Sequence, residues 1–396
     1  MPQLYSRAVR FNSSSVDSDF QPVVHIMYAT DKVTESKAIQ RIYLEDNKIG
    51  EDGTLYIAEW IKSNKVLTAI SLGNNQIGSR GAKYLSDALQ DNMVICHIFL
   101  EDNGIGDEGA QFLAEALRNK TTLVSLQLAN NQIGAKGAQY LSNILQNNVR
   151  LTKLDLRDNN IGDQGALCIA NALQDNMTLT TMNLSFNGIS AATADQLYTL
   201  TILTLHNNHI GSKGAEYLAQ VLQHHPTVTF LELQNNQIEN KGVHYLAYAL
   251  ETNQVLTSLR LVGNHIGDQG AQYLAHALET NRTLTELALQ MNQVGDQGVK
   301  HFANMLENNM NLKYLELSNN NISDWKAIAA IIGTRAKQEF KCISLCSNKI
   351  GDRGAQLLAS LVKNSTTIVE LNLQSNHIGD EGAYHLADAL KFNNVT

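Results

Sequence analysis

Along the chain, a short alternating segment of the form Leu-x-Leu is followed by a polar turn. A longer stretch comes next, whose apolar residues recur three and four positions apart. Leu154-Asp155-Leu156 shows the first pattern; its period of two predicts a short strand with one buried face. GAQFLAEAL at 109–117 shows the second; apolar residues at i, i+3, i+4 and i+7 predict an amphipathic helix. Between strand and helix stands an asparagine with a fixed offset. Asn47, Asn75, Asn103, Asn131, Asn159 and Asn187 are 28 residues apart. Asn208, Asn236, Asn264, Asn292, Asn320, Asn348 and Asn376 are again 28 apart, which makes thirteen repeats. The one irregular step, Asn187 to Asn208, is 21 residues. A leucine stands three positions before every one of these asparagines, and isoleucine or valine two after.

One strand and one helix cannot bury their own apolar sides, whereas stacked copies can. Neighbouring strands lie ~4.8 Å apart and packed helices ~8–10 Å, so the stack must curve. The expected fold is an α/β solenoid, a right-handed β-α superhelix shaped as a horseshoe. Its parallel sheet lines the concave face and its helices the convex face. Ser79, Asp107, Asp163, Ser212, Asn240, Asp268, Asp296, Asp352 and Asp380, four positions past the repeated asparagine, read as helix N-caps. Asn64, Asn92, Asn176, Asn253, Asn281 and Asn309 stand near helix ends, where left-handed backbone is expected. The repeated asparagines themselves should be buried under the turn, satisfying backbone groups of the next repeat. Tyr56, Tyr84, Tyr140, Tyr217, Tyr245 and Tyr273 recur nine past the asparagine and should pack helix against helix.

Residues 151–173, LTKLDLRDNNIGDQGALCIANAL, closely match the ribonuclease-inhibitor-type leucine-rich repeat. The resemblance covers about residues 36–394. That family includes ribonuclease inhibitor, the sensor arrays of NOD-like receptors, Ran GTPase-activating protein and effectors injected by intracellular bacteria. The resemblance implies a leucine-rich-repeat solenoid whose work is protein binding. The domain reading is a flexible lead and N-terminal cap at 1–35, then the thirteen repeats at 36–396 with the short unit at 187–208. That short unit lacks about two helical turns. The unit after Asn320 loses its Gly and Ala, with Trp325 and Ile328 expected to be buried.

In each strand the residues six, four and two before the asparagine point to the concave face. Glu45, Glu101, Asp155, Glu232, Glu286, Glu316 and Glu370 are acidic there, and Arg41, Lys153, Arg157 and Arg260 basic. Asp46, Asp102 and Asp158 add acid beside the asparagine. Tyr43, Phe99, Phe230 and Tyr314 face the same way, with Phe186 next to them. The candidate partner-binding set is therefore Tyr43, Glu45, Phe99, Glu101, Asp102, Asp155, Arg157, Phe186, Phe230, Glu232, Arg260, Tyr314 and Glu316. Aromatics among carboxylates suit a protein partner with a basic, partly apolar surface.

Composition narrows the setting. A net charge of −8 does not suit a phosphate backbone, so nucleic acid is not an expected partner. Four scattered cysteines, Cys96, Cys168, Cys342 and Cys346, fit free thiols in a reducing compartment. A cytoplasmic location is expected, the host cytosol in the case of a translocated bacterial effector. The even 28-residue spacing and the Asn/Gln richness favour the effector setting. The first twenty residues lack the apolar core of a signal peptide, and no run reaches membrane-spanning length. There is no phosphate loop, H-E-x-x-H or nucleophile elbow. His206 with His209 and His224 with His225 do not converge on a metal. Cys342 and Cys346 are about 13 Å apart by strand rise, beyond disulfide reach. The expectation is a monomer that is not an enzyme and has no cofactor or metal. The alternative is a GTPase activator of the Ran-activator type, for which no residue here maps.

Overall fold

Among the described residues, the leucines and isoleucines of the repeats are buried between strands and helices. The computed structural model describes residues 8–10, 39–173, 176–190, 201–224, 226–323, 342–363 and 370–391. The chain forms two compact units, one of residues 1–189 with 196–200, the other of 190–195 with 201–396. The division falls inside the 21-residue unit. Trp325, Ile328, most of the lead at 1–35, residues 191–200, His225 and the Cys342 side chain lie outside the described residues.

The first unit opens with β1 (Ala8–Arg10) and β2 (Arg41–Tyr43), followed by α1 (Gly50–Ser63). It continues with β3 (Ala69–Ser71), α2 (Gly78–Asp91), β4 (His97–Phe99) and α3 (Gly106–Leu117). It ends with β5 (Ser125–Gln127), α4 (Ala135–Asn147), β6 (Lys153–Asp155), α5 (Gly162–Leu173) and β7 (Thr181–Asn183). The second unit begins with β8 (Ile202–Thr204), α6 (Gly211–Leu222), β9 (Phe230–Glu232) and α7 (Glu239–Thr252). Then come β10 (Ser258–Arg260), α8 (Asp268–Thr280), β11 (Glu286–Ala288), α9 (Asp296–Asn308) and β12 (Tyr314–Glu316). It closes with β13 (Cys342–Ser344), α10 (Gly351–Val362), β14 (Glu370–Asn372) and α11 (Asp380–Leu390). Within each unit the strands run parallel in sequence order, and repeat strands pair in register with the residue 28 further on, as in Ala69 with His97 and Ser258 with Glu286. β1 adds to this sheet beside β2, Val9 opposite Ile42.

Burial follows the repeat. Leu72, Leu128, Leu261 and Leu289 are fully buried from the strand side, and Leu113, Leu274 and Phe302 from the helix side. Glycine six past the asparagine lets helices approach: a Cβ on Gly165 would lie 2.9 Å from the Ala138 Cβ.

Three buried polar systems hold the stack, and each corrects a sequence expectation. The repeated asparagine serves the preceding repeat, not the next. Asn264 Nδ2 donates to Leu233 O at 2.7 Å, and its Oδ1 accepts from Asn236 N at 3.0 Å and Ile238 N at 3.2 Å. The asparagines near helix ends are not left-handed. Asn64, Asn92, Asn253, Asn281 and Asn309 are extended and form a second buried ladder. Asn281 Nδ2 reaches Leu250 O at 2.8 Å, and its Oδ1 accepts from Leu284 N at 2.8 Å. An extended backbone aims the amide back across the repeat boundary, which a left-handed cap does not. Lys120 takes this place in one repeat, buried, its Nζ donating to Leu89 O at 2.9 Å and to Asn92 O. Burial pulls its pKa below that of an ordinary lysine.

Four residues that stand four past the asparagine cap the helix of the next repeat: Asp107, Asn240, Asp268 and Asp352. Asp268 Oδ1 accepts from Gly295 N at 2.7 Å and Gly298 N at 2.8 Å, at the start of α9. Asp107, Asn240 and Asp352 do the same for Gly134 with Gly137, Gly267 with Gly270, and Gly379 with Gly382. Where the preceding repeat offers Ser79 or Ala135 instead, Gly106 and Gly162 turn to φ 62° and 57°. Their N–H groups then donate to Asn131 O and Asn187 O. Where Asp or Asn in the preceding repeat accepts from the glycine N–H, as at Gly134, Gly267, Gly295 and Gly379, the glycine is extended instead. Asp268→Ala should cost about 1 kcal/mol, the usual worth of an N-cap, read as a lower urea midpoint. An unchanged midpoint would show that Gly295 repartners at no cost.

The uncovered strand face as candidate functional site

In β2 to β12 the middle residue is buried and its two neighbours stand on the face that the helices leave uncovered. Tyr43, Glu45, Phe99, Glu101, Asp155, Phe230, Glu232, Arg260 and Glu316 are half-buried there; Asp102, Arg157, Phe186 and Tyr314 are exposed. None of these sits in the packed interior. Small residues of the same face, including Ala69, Ser71, Ser125, Ala129 and Ser258, are buried among larger neighbours.

In the first unit the face is polarised. Arg41, His97 and Lys153 share the row at the strand starts, set by the pairing Arg41–Ala69–His97–Ser125–Lys153. Burial, then Arg41 and Lys153, hold the His97 pKa below the ordinary histidine value. Glu45 and Glu101 lie past the strand ends on either side of Gly73, where a Cβ would be 3.7 Å from Glu45 Cγ and 3.6 Å from Glu101 Oε2. Burial raises the Glu101 pKa above the ordinary carboxylate value, and Asp155, Asp102 and Glu45 push it further. The basic row was not part of the candidate set; its signal was the parity of Arg41, His97 and Lys153.

The residue just before each repeated asparagine is left-handed: Asp46, Asn74, Asp102, Asn130 and Asp158 have φ between 51° and 58°. Asn and Asp tolerate this region; bulky side chains do not. Their amides link along the turn row, Asn74 Nδ2 to Asp46 Oδ1 at 2.9 Å and Asn130 Nδ2 to Asp102 Oδ1. Phe186 holds φ 55° with 45% exposure, and Met291 φ 54° with 61%.

In the second unit one cation is bracketed by acids. Arg260 Nη2 donates to Glu286 Oε1 at 2.8 Å and Nη1 lies 3.6 Å from Glu232 Oε1. Its guanidinium carbon stands 5.2 Å from the Phe230 ring centre. His206 Nδ1 lies 3.9 Å from Glu232 Oε2, and Gln290 Nε2 donates to Glu316 Oε2. Glu232 and Glu286 thus share one arginine.

Among the described residues no group of His, Cys, Asp and Glu could hold a metal, and no helix is long and apolar enough to cross a membrane. Cys96, Cys168 and Cys346 are free thiols. Of the tyrosine row, Tyr273 meets His244 of the preceding helix with ring centres 4.6 Å apart.

Repeated strand-helix units with a bare strand face define a solenoid of the α/β class. A family model described as Leucine Rich repeat matches eleven segments between residues 63 and 387, and the chain belongs to that family. No curated protein matches by sequence. Among solved structures, the leucine-rich-repeat ectodomain of the receptor kinase GASSHO1/SCHENGEN3 from Arabidopsis thaliana, in complex with CASPARIAN STRIP INTEGRITY FACTOR 2, is 17% identical. The match covers 92% of this chain and 41% of that one, with TM-score 0.50. An internalin (inlF) from Listeria monocytogenes is 19% identical over 93% of this chain and 91% of its own, with TM-score 0.46. The leiomodin-1 Actin-Binding Site 2 structure is 27% identical over 32% of this chain and 75% of its own, with TM-score 0.30.

Proposed function

We propose that this chain is a non-catalytic protein-binding module of the ribonuclease-inhibitor type that holds its partner on the uncovered strand face. The observation that carries this reading is Glu101. Glu101 stands with Glu45 on either side of Gly73, a half-buried carboxylate pair, and burial first, then Asp155, Asp102 and Glu45, raise the Glu101 pKa. A partner's cation suits that pair. Tyr43 and Phe99, half-buried on the same face, offer aromatic contact. The partner surface is therefore basic and partly apolar. The full reading takes residues 1–35 as lead and cap before thirteen repeats, and the working form as a monomer that binds no nucleic acid. It places the chain in a reducing cytoplasm, as in a bacterial effector delivered into a host cell; the free thiols and the regular 28-residue spacing support this.

The test is capture from a eukaryotic lysate, with Tyr43→Ala/Phe99→Ala as the comparison. A protein retained by the wild type and lost from the double variant is expected. Equal retention by both would sink the reading. Purified chain should not stimulate GTP hydrolysis across a panel of small GTPases; stimulation would favour the activator alternative.

A further inference from the structure

On the uncovered face of the first unit, β3 is the low strand. Ala69, Ser71 and Gly73, its three residues on that face, are small and buried among larger neighbours. The strands on either side match each other in kind. Arg41 and His97 flank Ala69, and Tyr43 and Phe99 flank Ser71, by strand register. The ladder runs on past the strand ends, Asp46 N donating to Gly73 O and Asn74 N to Glu101 O. Glu45 and Glu101 therefore flank Gly73, where a Cβ would lie 3.7 Å from Glu45 Cγ and 3.6 Å from Glu101 Oε2. The low row along β5 has no such match: Lys153 stands opposite His97, Asp155 opposite Phe99 and Arg157 opposite Glu101. Like charge gathers at each end of β3. After burial, Arg41 and Lys153 act on His97, and Asp155, Asp102 and Glu45 act on Glu101.

The face over β3 is thus dipolar along the strand, with an aromatic pair between its charged ends. Ala69 and Gly73 are four residues apart, about 13 Å by strand rise. A free amino acid, whose charges are only a few bonds apart, is too short to meet both ends. A segment with basic residues alone sets like charge against Arg41, which is unfavourable. An extended segment has the rise of the strand beneath it and places residues i, i+2 and i+4 on one face. Its alternate side chains meet the three flanking pairs one to one, without reaching the buried floor. We propose that the protein partner lays an extended segment over β3 that carries an acidic, an apolar and a basic residue at alternate positions. The acid lies between Arg41 and His97, the apolar side chain between Tyr43 and Phe99, and the base between Glu45 and Glu101. This rests on the protein-binding reading above and adds an acidic residue at a set distance from the base, which a uniformly basic surface lacks.

A dye-labelled, capped peptide Lys-Thr-Leu-Thr-Glu and its reverse, Glu-Thr-Leu-Thr-Lys, are titrated into the full chain by fluorescence anisotropy. Lys-Thr-Leu-Thr-Lys and Glu-Thr-Leu-Thr-Glu are run beside them. At least one dipolar peptide should bind about tenfold tighter than either like-charged one, a difference of ~1.4 kcal/mol. Arg41→Glu/His97→Glu should reverse the order, the two-lysine peptide now binding tighter than the dipolar ones, which an unfolded chain cannot produce. Arg41→Gln, at an exposed position, should weaken the dipolar peptides with the urea midpoint unchanged and leave the two-lysine peptide equal or tighter. No binding of either dipolar peptide, equal affinity for the two-lysine peptide, or an unchanged order in both variants overturns the proposal. So does tighter binding of an alanine-rich helical peptide with Lys and Glu eight positions, about 12 Å, apart, since the segment is then a helix. A lysate partner lost from Tyr43→Ala/Phe99→Ala, with peptides that show no order, removes this inference alone. Ordered peptides with equal lysate retention remove the broader reading alone.

Discussion

Asn264→Leu is expected to lower unfolding stability by roughly 3–5 kcal/mol, since each buried group left unmet costs about 1–3 kcal/mol. Leucine matches the size but none of the chemistry. The N–H groups of Asn236 and Ile238 would lose their acceptor, and Leu233 O its donor at 2.7 Å. All three bonds are buried at the junction of two repeats. Asn264→Asp keeps an acceptor for the two N–H groups while losing the donor, so it should fall between wild type and leucine. A urea midpoint for Asn264→Leu within ~1 kcal/mol of wild type would mean that the ladder is decoration, and the stack rests on leucine burial alone.

Reversing charge at the acidic end of the first unit, Glu45→Lys/Glu101→Lys/Asp102→Lys, should weaken a basic partner by more than about tenfold, or ~1.4 kcal/mol. Like charges facing each other across an interface are strongly unfavourable. The single change Glu101→Gln separates binding from folding. The folded-state pKa of Glu101 is raised, so the folded chain holds a proton that the unfolded chain has released. Stability therefore falls as pH rises from the ordinary carboxylate value through the folded one, and the cost is fully present above that. Glu101→Gln should raise the urea midpoint at neutral pH, flatten its pH dependence in the acidic range and weaken the partner. A midpoint that drops instead, or affinity that survives the triple reversal, counts against the site.

Much of this was legible in the letters. Leu154 and Leu156 mark a strand's buried face, and GAQFLAEAL falls inside α3, because strand and helix periods depend only on local spacing. The candidate aromatics and carboxylates occupy the uncovered face for the same reason of parity. Asp268 shows where the reading failed. Four past the asparagine it has the composition of an N-cap, yet it accepts from Gly295 and Gly298 of the following repeat. Asn281 likewise has the composition of a left-handed C-cap, yet it is extended and reaches back to Leu250 O. A local rule names the bond type correctly and assigns it to the wrong repeat.

The sequence by itself determined the repeat, its strand and helix, the buried leucine layer and which residues face away from it, since all of these follow from period along one segment. Only the tertiary structure decided which repeat the asparagines and aspartates serve, and how Arg41, His97 and Lys153 come to share a row beside Glu45 and Glu101. Those relations join atoms 26 to 31 positions apart, and the physical reason is that a hydrogen bond or a Coulomb interaction is set by distance through space, which a one-dimensional period does not contain.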